Sequence, residues 1–175
     1  TFGVSAFGIS GFGVTFPENM SNPINMPQDM GGFGQIKSDY MLMQIGVTYA
    51  YEITEQFSIG IAPTFNYAAL LLEPNPLASP SMEKGYPLAK RASATGFGGQ
   101  AGVFYNSGNG LKAGVSYKSQ QIFNEFDFEN TYLDGSAAPN VKFKRNYPAI
   151  FSVGIGYSNK AIDIAVDYRM VDYEN

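Results

Sequence analysis

The sequence predicts an all-β fold, namely an antiparallel transmembrane β-barrel segment of about seven strands. Three observations lead to this prediction. Apolar and small residues alternate along strand-length segments, the connecting turns are alternately short and long, and the apolar faces carry no charged side chains. Because no apolar run approaches the ~20 residues that a membrane helix needs, strands are the elements that would span a bilayer.

The clearest hairpin covers residues 40–67. In its first strand the odd-numbered residues from Met41 to Ile53 are apolar, and the residues between them are mostly small or polar. A short turn, Thr54 to Gln56, precedes a second strand that repeats the alternation from Phe57 to Tyr67. Since strand side chains alternate between the two faces of a sheet, each strand has one apolar face.

Two further hairpins and an N-terminal strand near residues 2–16 complete the seven strands. Each hairpin has a tight turn rich in Gly, Asn or Ser, as short hairpin connections require. The predicted hairpin strands are Phe97–Tyr105 with Leu111–Tyr117, and Phe151–Tyr157 with Ile162–Tyr168.

Long irregular stretches separate the hairpins on one side only. They cover Pro17–Asp39, Ala68–Ser93 and a third stretch around Thr131–Tyr147. Outer-membrane barrels have short periplasmic turns and long extracellular loops. Aromatic residues near both ends of the apolar faces, such as Tyr51 and Tyr117, are interpreted as two interfacial girdles.

The second face of the strands distinguishes a barrel from a soluble β-sandwich, which also alternates. A sandwich would expose many charged residues there, but the second face here is mainly Gly, Ala and Ser. A Lys or Arg facing lipid at the bilayer midplane costs about 2–4 kcal/mol. In all three hairpins the apolar face holds no charge. The second face is interpreted as the lumen, and its charged residues include Lys112, Lys118, Asp163, Asp167 and Arg169.

Composition excludes several classes of function. The 175 residues carry a net charge of −4, which opposes nucleic-acid binding. The sequence has no Cys and no His, so a Ser/His/Asp triad, a Cys/His dyad and the common zinc sites cannot form within it. No enzymatic activity, metal or cofactor is therefore expected.

Both ends of the sequence are interpreted as internal to a longer chain. No initiating Met or secretory leader precedes Thr1, and the sequence stops directly after a strand. Seven strands would leave two unpaired edges in lipid, where each unsatisfied backbone group is costly. Residues 1–175 are thus expected to form one partial outer-membrane barrel domain.

Four stretches resemble the FadL/TodX-type outer-membrane channels for long-chain fatty acids and aromatic hydrocarbons: Gly11–Phe16 (GFGVTF), Gly46–Tyr67, Gly96–Ser119 and Tyr147–Asn175. The order and spacing of the set carry the likeness. The resemblance implies half of a 14-stranded barrel, without the N-terminal hatch that plugs the interior in this family. It also implies passive transport of hydrophobic compounds across the bacterial outer membrane.

The same resemblance implies that external loops capture the ligand. The stretch 68–93 is the best candidate, because an apolar ligand is held mainly by buried apolar area. The alternative is that these residues only pack the loop onto itself. The predicted capture residues are Leu70, Leu71, Leu72, Leu77, Met82, Tyr86 and Leu88.

The ligand's charge stays open at this point. Fatty-acid members of the family tend to have a basic residue where this sequence has 69–71, which are Ala, Leu and Leu. Lys112, Lys118 or Arg169 could replace it, or the ligand could be a neutral hydrocarbon. Arg169 is expected to form a structural ion pair with Asp167 or Asp163.

Other functions and motifs fit the sequence less well than this interpretation. A general diffusion porin needs charge rings and a constriction loop, whereas the predicted lumen is mainly neutral. A structural or adhesive barrel and an outer-membrane hydrolase are further alternatives. Residues 96–101 (GFGGQA) match a dinucleotide fingerprint only superficially, because strand alternation continues through them. The carboxylates Glu125, Asp127 and Glu129 are interpreted as a solvated face, and Lys142, Lys144 and Arg145 as a solvated rim or a lipopolysaccharide contact.

Overall fold

The computed structural model describes residues 1–173, so the last two residues of the predicted barrel domain and of the stretch 147–175 lie outside the described part. A short 3-10 helix, Gln28–Met30, lies in the first long loop. The strands are β1 (Phe2–Phe16), β2 (Ile36–Glu52), β3 (Phe57–Glu73), β4 (Leu88–Ala89), β5 (Ala92–Asn106), β6 (Leu111–Lys118), β7 (Ile122–Phe123), β8 (Phe126–Thr131), β9 (Ala137–Phe143), β10 (Ala149–Ser158) and β11 (Asp163–Asp172).

Seven strands form one antiparallel sheet in the order β1-β2-β3-β5-β6-β10-β11. Each strand pairs with its neighbours along this path, and β7 pairs with β5 outside it. The three predicted hairpins are β2–β3, β5–β6 and β10–β11, and the predicted all-β architecture with seven barrel strands is confirmed. Strand pairing continues through residues 96–101, so the superficial nucleotide motif lies within a strand.

The two faces of the sheet differ as the alternation predicts. Val103, Val115 and Val153 occupy one row across three strands, and all three are exposed on the convex face. The next row, on the concave face, consists of Gly102, Ser116 and Ser152. Residues 1–173 include no helix that is long and apolar enough to span a bilayer.

The long loops are more ordered than the sequence predicted. β3 continues to residue 73 and β5 begins at residue 92, so both ends of the predicted loop 68–93 belong to strands. The third loop is also not irregular, because β8 and β9 pair with β4 as a separate three-stranded sheet, which we call the cap.

A bulge changes which face the side chains of β1 occupy. Strict alternation would place Phe12 on the same face as Phe2, but the register shifts between Gly8 and Ser10. A β-bulge adds one residue to one strand, so the side chains that follow it change faces. Phe12 therefore lies opposite Tyr40 on the concave face, with the two ring centroids 5.8 Å apart.

The buried core lies between the cap and the upper ends of β2, β3 and β5. Leu42 and Phe128 are fully buried there, together with Ala68 and Phe126. The lower part of the wall contributes little to this core, because its apolar side chains are on the convex face. The cap thus supplies the apolar surface against which the inner wall packs.

Candidate functional site

The cap is joined to the wall through buried amides. Along β8, Phe126 and Phe128 are buried, and the acidic residues that alternate with them are exposed. Asn75 Nδ2 donates to Asn130 Oδ1 over 2.9 Å, and Asn130 Nδ2 donates to the Pro139 carbonyl over 2.8 Å. Because buried polar groups need partners, these bonds fix the loop after β3 to the cap.

The acidic face of β8 is solvated, as the sequence analysis favoured. Lys90 Nζ lies 2.8 Å from Glu129 Oε2, and this hydrogen bond lowers the pKa of the Glu129 carboxyl. Lys142 Nζ lies 3.6 Å from Glu125 Oε2. Within residues 1–173, no group of three or more His, Cys, Asp or Glu side chains could hold a metal ion.

An aromatic pocket of about 260 Å³, which we call the upper pocket, lies beneath the cap. β1, β2 and β3 contribute to one side of it, and β7, β8, β9 and residues 145–148 contribute to the other. Ser10, Arg145 and Asn146 are among its polar lining residues. Its aromatic lining residues are Phe12, Tyr40, Phe123, Phe126, Phe143, Tyr147 and Tyr173.

Residues 119–123, which we call the ledge, follow β6 and lie against the concave face of the wall. Phe123 of the ledge pairs with Gly96 of β5. A Cβ at Gly96 would be 2.9 Å from a backbone oxygen of the ledge, and a Cβ at Gly98 would overlap the Gln121 side chain. The close approach of the ledge therefore depends on the missing side chains at these two glycines.

A buried polar cluster attaches the ledge to the wall. Gln121 Oε1 accepts hydrogen bonds from Thr64 Oγ1 at 2.6 Å and from Asn66 Nδ2 at 2.7 Å. Gln44 Nε2 donates to Asn66 Oδ1 over 2.7 Å, and Lys118 Nζ donates to Gln44 Oε1 over 3.1 Å. In the described part of the chain no buried side-chain nitrogen or oxygen lacks a partner, so the cluster is satisfied.

Below the ledge, the concave face forms an open cavity of about 720 Å³, which we call the lower cavity. Small and neutral residues dominate its wall, and Lys112 and Asp167 are its charged lining residues. The lower cavity and the upper pocket share no lining residue within the described chain. The polar cluster lies between them along β2 and β3, so the ledge separates two chemically different spaces.

The residues predicted as a capture surface do not lie together in the structure. Leu70, Leu71 and Leu72 belong to β3, and Leu70 lines the upper pocket. Leu77 and Met82 are exposed, and the Tyr86 ring packs 5.3 Å, between centroids, from a phenylalanine of the first long loop. Leu88 is half-buried in β4. Apart from Leu70, these residues do not line the upper pocket, and their role in binding stays a prediction.

The predicted lumen residues Lys118, Asp163, Asp167 and Arg169 lie at concave-facing positions of their strands. Lys118 joins the polar cluster, and Asp167 lies over Gly154. The hypothesis of an ion pair was wrong: within residues 1–173, Arg169 forms none with Asp163 or Asp167. Along β11 these side chains alternate at two-residue spacing, which does not by itself bring their charged ends together.

Sequence reasoning missed most of the upper pocket. Arg145 was assigned to a basic rim, yet it lines this pocket, and strict alternation along β1 does not place Phe12 there. Phe126 lies opposite the predicted acidic face, but its neighbours across the pocket come from distant parts of the chain. The alternation of Phe126 and Phe128 with carboxylates is the one local signal of a buried face under the third loop.

The architecture is that of a β-barrel wall, with apolar residues outside, a mainly neutral concave face inside and a cap over an aromatic pocket. No protein-family model matches the sequence, and no curated protein matches it. Three solved structures do match the fold.

The Ralstonia pickettii toluene transporter TbuX matches with a TM-score of 0.73 and 20% identity, over 97% of this chain and 50% of that chain. The TodX deltaS2S3 mutant monoaromatic hydrocarbon channel matches with a TM-score of 0.73 and 16% identity, over 98% and 50% of the two chains. The P. putida toluene transporter TodX matches with a TM-score of 0.67 and 14% identity, over the same shares. The chain spans about half the length of these proteins. The likeness confirms the fold that the sequence resemblance implied.

Proposed function

We propose that the chain forms half of a closed barrel in the bacterial outer membrane, through which hydrophobic compounds pass passively. The upper pocket is the observation that carries this proposal, because it offers a bound compound a largely aromatic surface inside the wall. The convex face supports membrane insertion, since its exposed side chains are apolar. The fold likeness to channels for toluene and other monoaromatic hydrocarbons supports the same class of cargo.

The size of the upper pocket favours small aromatic compounds over long-chain fatty acids. A cavity of ~150 Å³ is enough for benzene, whereas pockets for drug-sized ligands have roughly 300–1,000 Å³. The upper pocket, at about 260 Å³, lies between these limits and matches one substituted ring. A long-chain fatty acid is the second candidate and would extend beyond the pocket, along the cap or the wall.

A general diffusion porin is the main alternative. The lower cavity is open and mainly neutral, as a polar path could be, but the ledge and the satisfied polar cluster separate it from the upper pocket. An adhesive role would depend on the loops, and no feature of the described loops favours it over transport. Lipid at the convex face and lipopolysaccharide at Lys142 and Lys144 are proposed partners of the wall and its rim.

Uptake by proteoliposomes that contain the complete barrel tests the proposal. The substrates are toluene, palmitate and a small sugar. The variants are Phe12→Ala, which removes a ring of the upper pocket, and Phe2→Ala, which removes an exposed ring of the same strand.

We expect preferential uptake of toluene, reduced about 2- to 10-fold at low concentration by Phe12→Ala, because an aromatic pair contributes about 0.5–1.5 kcal/mol. Phe2→Ala should transport like the wild type. Equal flux of sugar and toluene would indicate a porin, and no flux of any substrate would refute transport.

A further inference from the structure

The described lining of the upper pocket has one positive charge and no negative one. Arg145, an exposed residue, lines the pocket, and no Asp or Glu of residues 1–173 does so. The ion pairs among residues 1–173 do not include Arg145; they are Lys84–Asp134, Lys90–Glu129, Arg91–Asp39 and Lys142–Glu125. The whole sequence has a net charge of −4, so a pocket whose described lining has one cation and no acid differs in charge from the chain average.

The groups around Arg145 strengthen this positive character. Tyr40 and Tyr147 also line the pocket, and Arg145 is close enough to Tyr40 to act on it electrostatically. Lys118 Nζ lies 5.3 Å from the centroid of the Tyr147 ring and donates its hydrogen bond to a neutral amide. Asn146 Oδ1 accepts from the Phe123 N–H over 3.1 Å, which orients the amide at the pocket wall. Lys118 therefore adds a second positive charge near this wall of the pocket, and within residues 1–173 neither Lys118 nor Arg145 forms an ion pair with a carboxylate.

We propose that the upper pocket binds small aromatic carboxylates, with the ring among the phenylalanines and the carboxylate at Arg145. This inference rests on the proposed transport function and names its substrate class. A guanidinium matches the two oxygens of a carboxylate in a paired hydrogen-bond geometry, which an ammonium does not reproduce. The tyrosine hydroxyls can donate to the same group, and the aromatic wall excludes water from the ring.

The charge and the volume of the upper pocket also distinguish single-ring aromatic acids from the other candidate compounds. A neutral hydrocarbon would fill the apolar part of the pocket but make no hydrogen bond to the Arg145 guanidinium. A long-chain acid would satisfy Arg145 but would exceed the volume of about 260 Å³. A single-ring acid satisfies both the charge and the volume.

Arg145→Gln and Lys144→Gln provide a matched test. Both changes remove one positive charge from neighbouring residues, but only residue 145 lines the pocket. The complete barrel and both variants are reconstituted, their folding is checked by the heat-dependent shift in gel mobility, and uptake of benzoate and toluene is measured. Binding of benzoate to the same proteins in detergent micelles is measured by calorimetry.

We expect benzoate to be taken up in preference to toluene. Arg145→Gln should weaken benzoate binding and uptake about tenfold or more, because hydrogen bonds to charged groups are the strong ones. Toluene uptake by Arg145→Gln should stay within twofold of the wild type, and Lys144→Gln should behave as the wild type with both compounds.

The outcomes separate this inference from the proposed function. Toluene uptake without benzoate uptake, or benzoate uptake that Arg145→Gln leaves unchanged, would overturn the inference and leave transport intact. Benzoate binding in micelles that depends on Arg145, with no uptake of any aromatic compound, would support the binding site and refute transport. Equal losses of benzoate binding and uptake in Arg145→Gln and Lys144→Gln would show that the effect depends on overall charge and not on the pocket. That outcome would also overturn the inference.

Discussion

At the scale of single residues, Gln121 is fully buried and each polar atom of its side chain has a partner. Its Oε1 accepts from Thr64 and Asn66, and its Nε2 donates to the Ser119 carbonyl over 2.6 Å. The members of such a network depend on one another, because removing one side chain leaves polar atoms of the others buried without hydrogen-bond partners. Gln121 therefore contributes more to the attachment of the ledge than one exposed hydrogen bond would.

We expect Gln121→Ala to lower the free energy of unfolding by about 2–4 kcal/mol, from two unsatisfied buried groups and lost packing. Gln100→Ala, an equal truncation at an exposed position of β5, should change it by less than about 0.5 kcal/mol. Urea-dependent unfolding of the complete barrel in detergent micelles measures both values. Equal effects of the two substitutions would show that the cluster does not hold the ledge.

The turn between β8 and β9 has a pH-dependent contact. Asp134 accepts a 2.8 Å hydrogen bond from the Ser136 N–H and lies 2.9 Å from Lys84 Nζ. The hydrogen bonds from Ser136 and Lys84 hold the pKa of the Asp134 carboxyl below its ordinary value of 3.8. A pKa lowered by folding means that the contact contributes fully above the unfolded-state pKa and is lost as the pH falls towards the folded-state value.

We therefore expect the protection of amides 132–136 from hydrogen exchange to be constant above about pH 5 and to decrease below about pH 4. Asp134→Asn should remove this step, whereas Asp127→Asn, on the exposed face of β8, should keep it. Protection factors measured by mass spectrometry between pH 6 and pH 2 test the prediction. A step that persists in Asp134→Asn would assign it to another group.

At the scale of elements, alternation was sufficient to predict the three hairpins, because each strand has one lipid-type face and one small or polar face. It was not sufficient for β1. The bulge between Gly8 and Ser10 moves Phe12 to the concave face, and a sequence of alternating Phe, Gly and Val does not reveal the extra residue. The ledge was missed for a related reason, since residues 119–123 pair with β5 through only two residues and have no period of their own.

The contact between β7 and β5 predicts a specific sensitivity to side-chain size. A Cβ at Gly96 meets the backbone and a ring of the ledge, whereas a Cβ at Gly60, on the same concave face, comes no closer than 3.8 Å to a backbone oxygen. Gly96→Ala should therefore cost about 1–3 kcal/mol as overpacking, and Gly60→Ala should cost much less.

Displacement of the ledge by Gly96→Ala should be visible directly. A spin label at residue 122, which is exposed, should become more mobile in Gly96→Ala and stay unchanged in Gly60→Ala. The distance from this label to a second label on the outer face of β3 should also broaden. An unchanged label in both variants would mean that the ledge adapts to the added methyl group without leaving the wall.

At the scale of the whole molecule, the sequence was enough to predict which face of the wall carries the apolar residues. It was not enough to predict that the interior is divided into an upper pocket and a lower cavity. Exposed apolar side chains on the convex face follow from period-two alternation along single strands. The upper pocket joins residues from β1 to beyond β11, and one of them, Arg145, lies in no strand. Local patterns specify which face a residue occupies, but contacts between distant segments specify a pocket.

The orientation of the wall distinguishes a membrane barrel from a water-soluble sheet. Val115 lies in the middle of an exposed row on the convex face, and Ser116 lies between Gly102 and Ser152 in the next row, on the concave face. In a bilayer, Val115→Lys should lower the free energy of unfolding by about 2–4 kcal/mol, because a midplane Lys faces hydrocarbon. Ser116→Lys, on the same strand, should cost less than about 1 kcal/mol, since its ammonium group can be solvated in the cavity. Reversible unfolding of the complete barrel in lipid vesicles measures the pair. Equal costs, or a larger cost for Ser116→Lys, would contradict the assignment of the convex face to lipid.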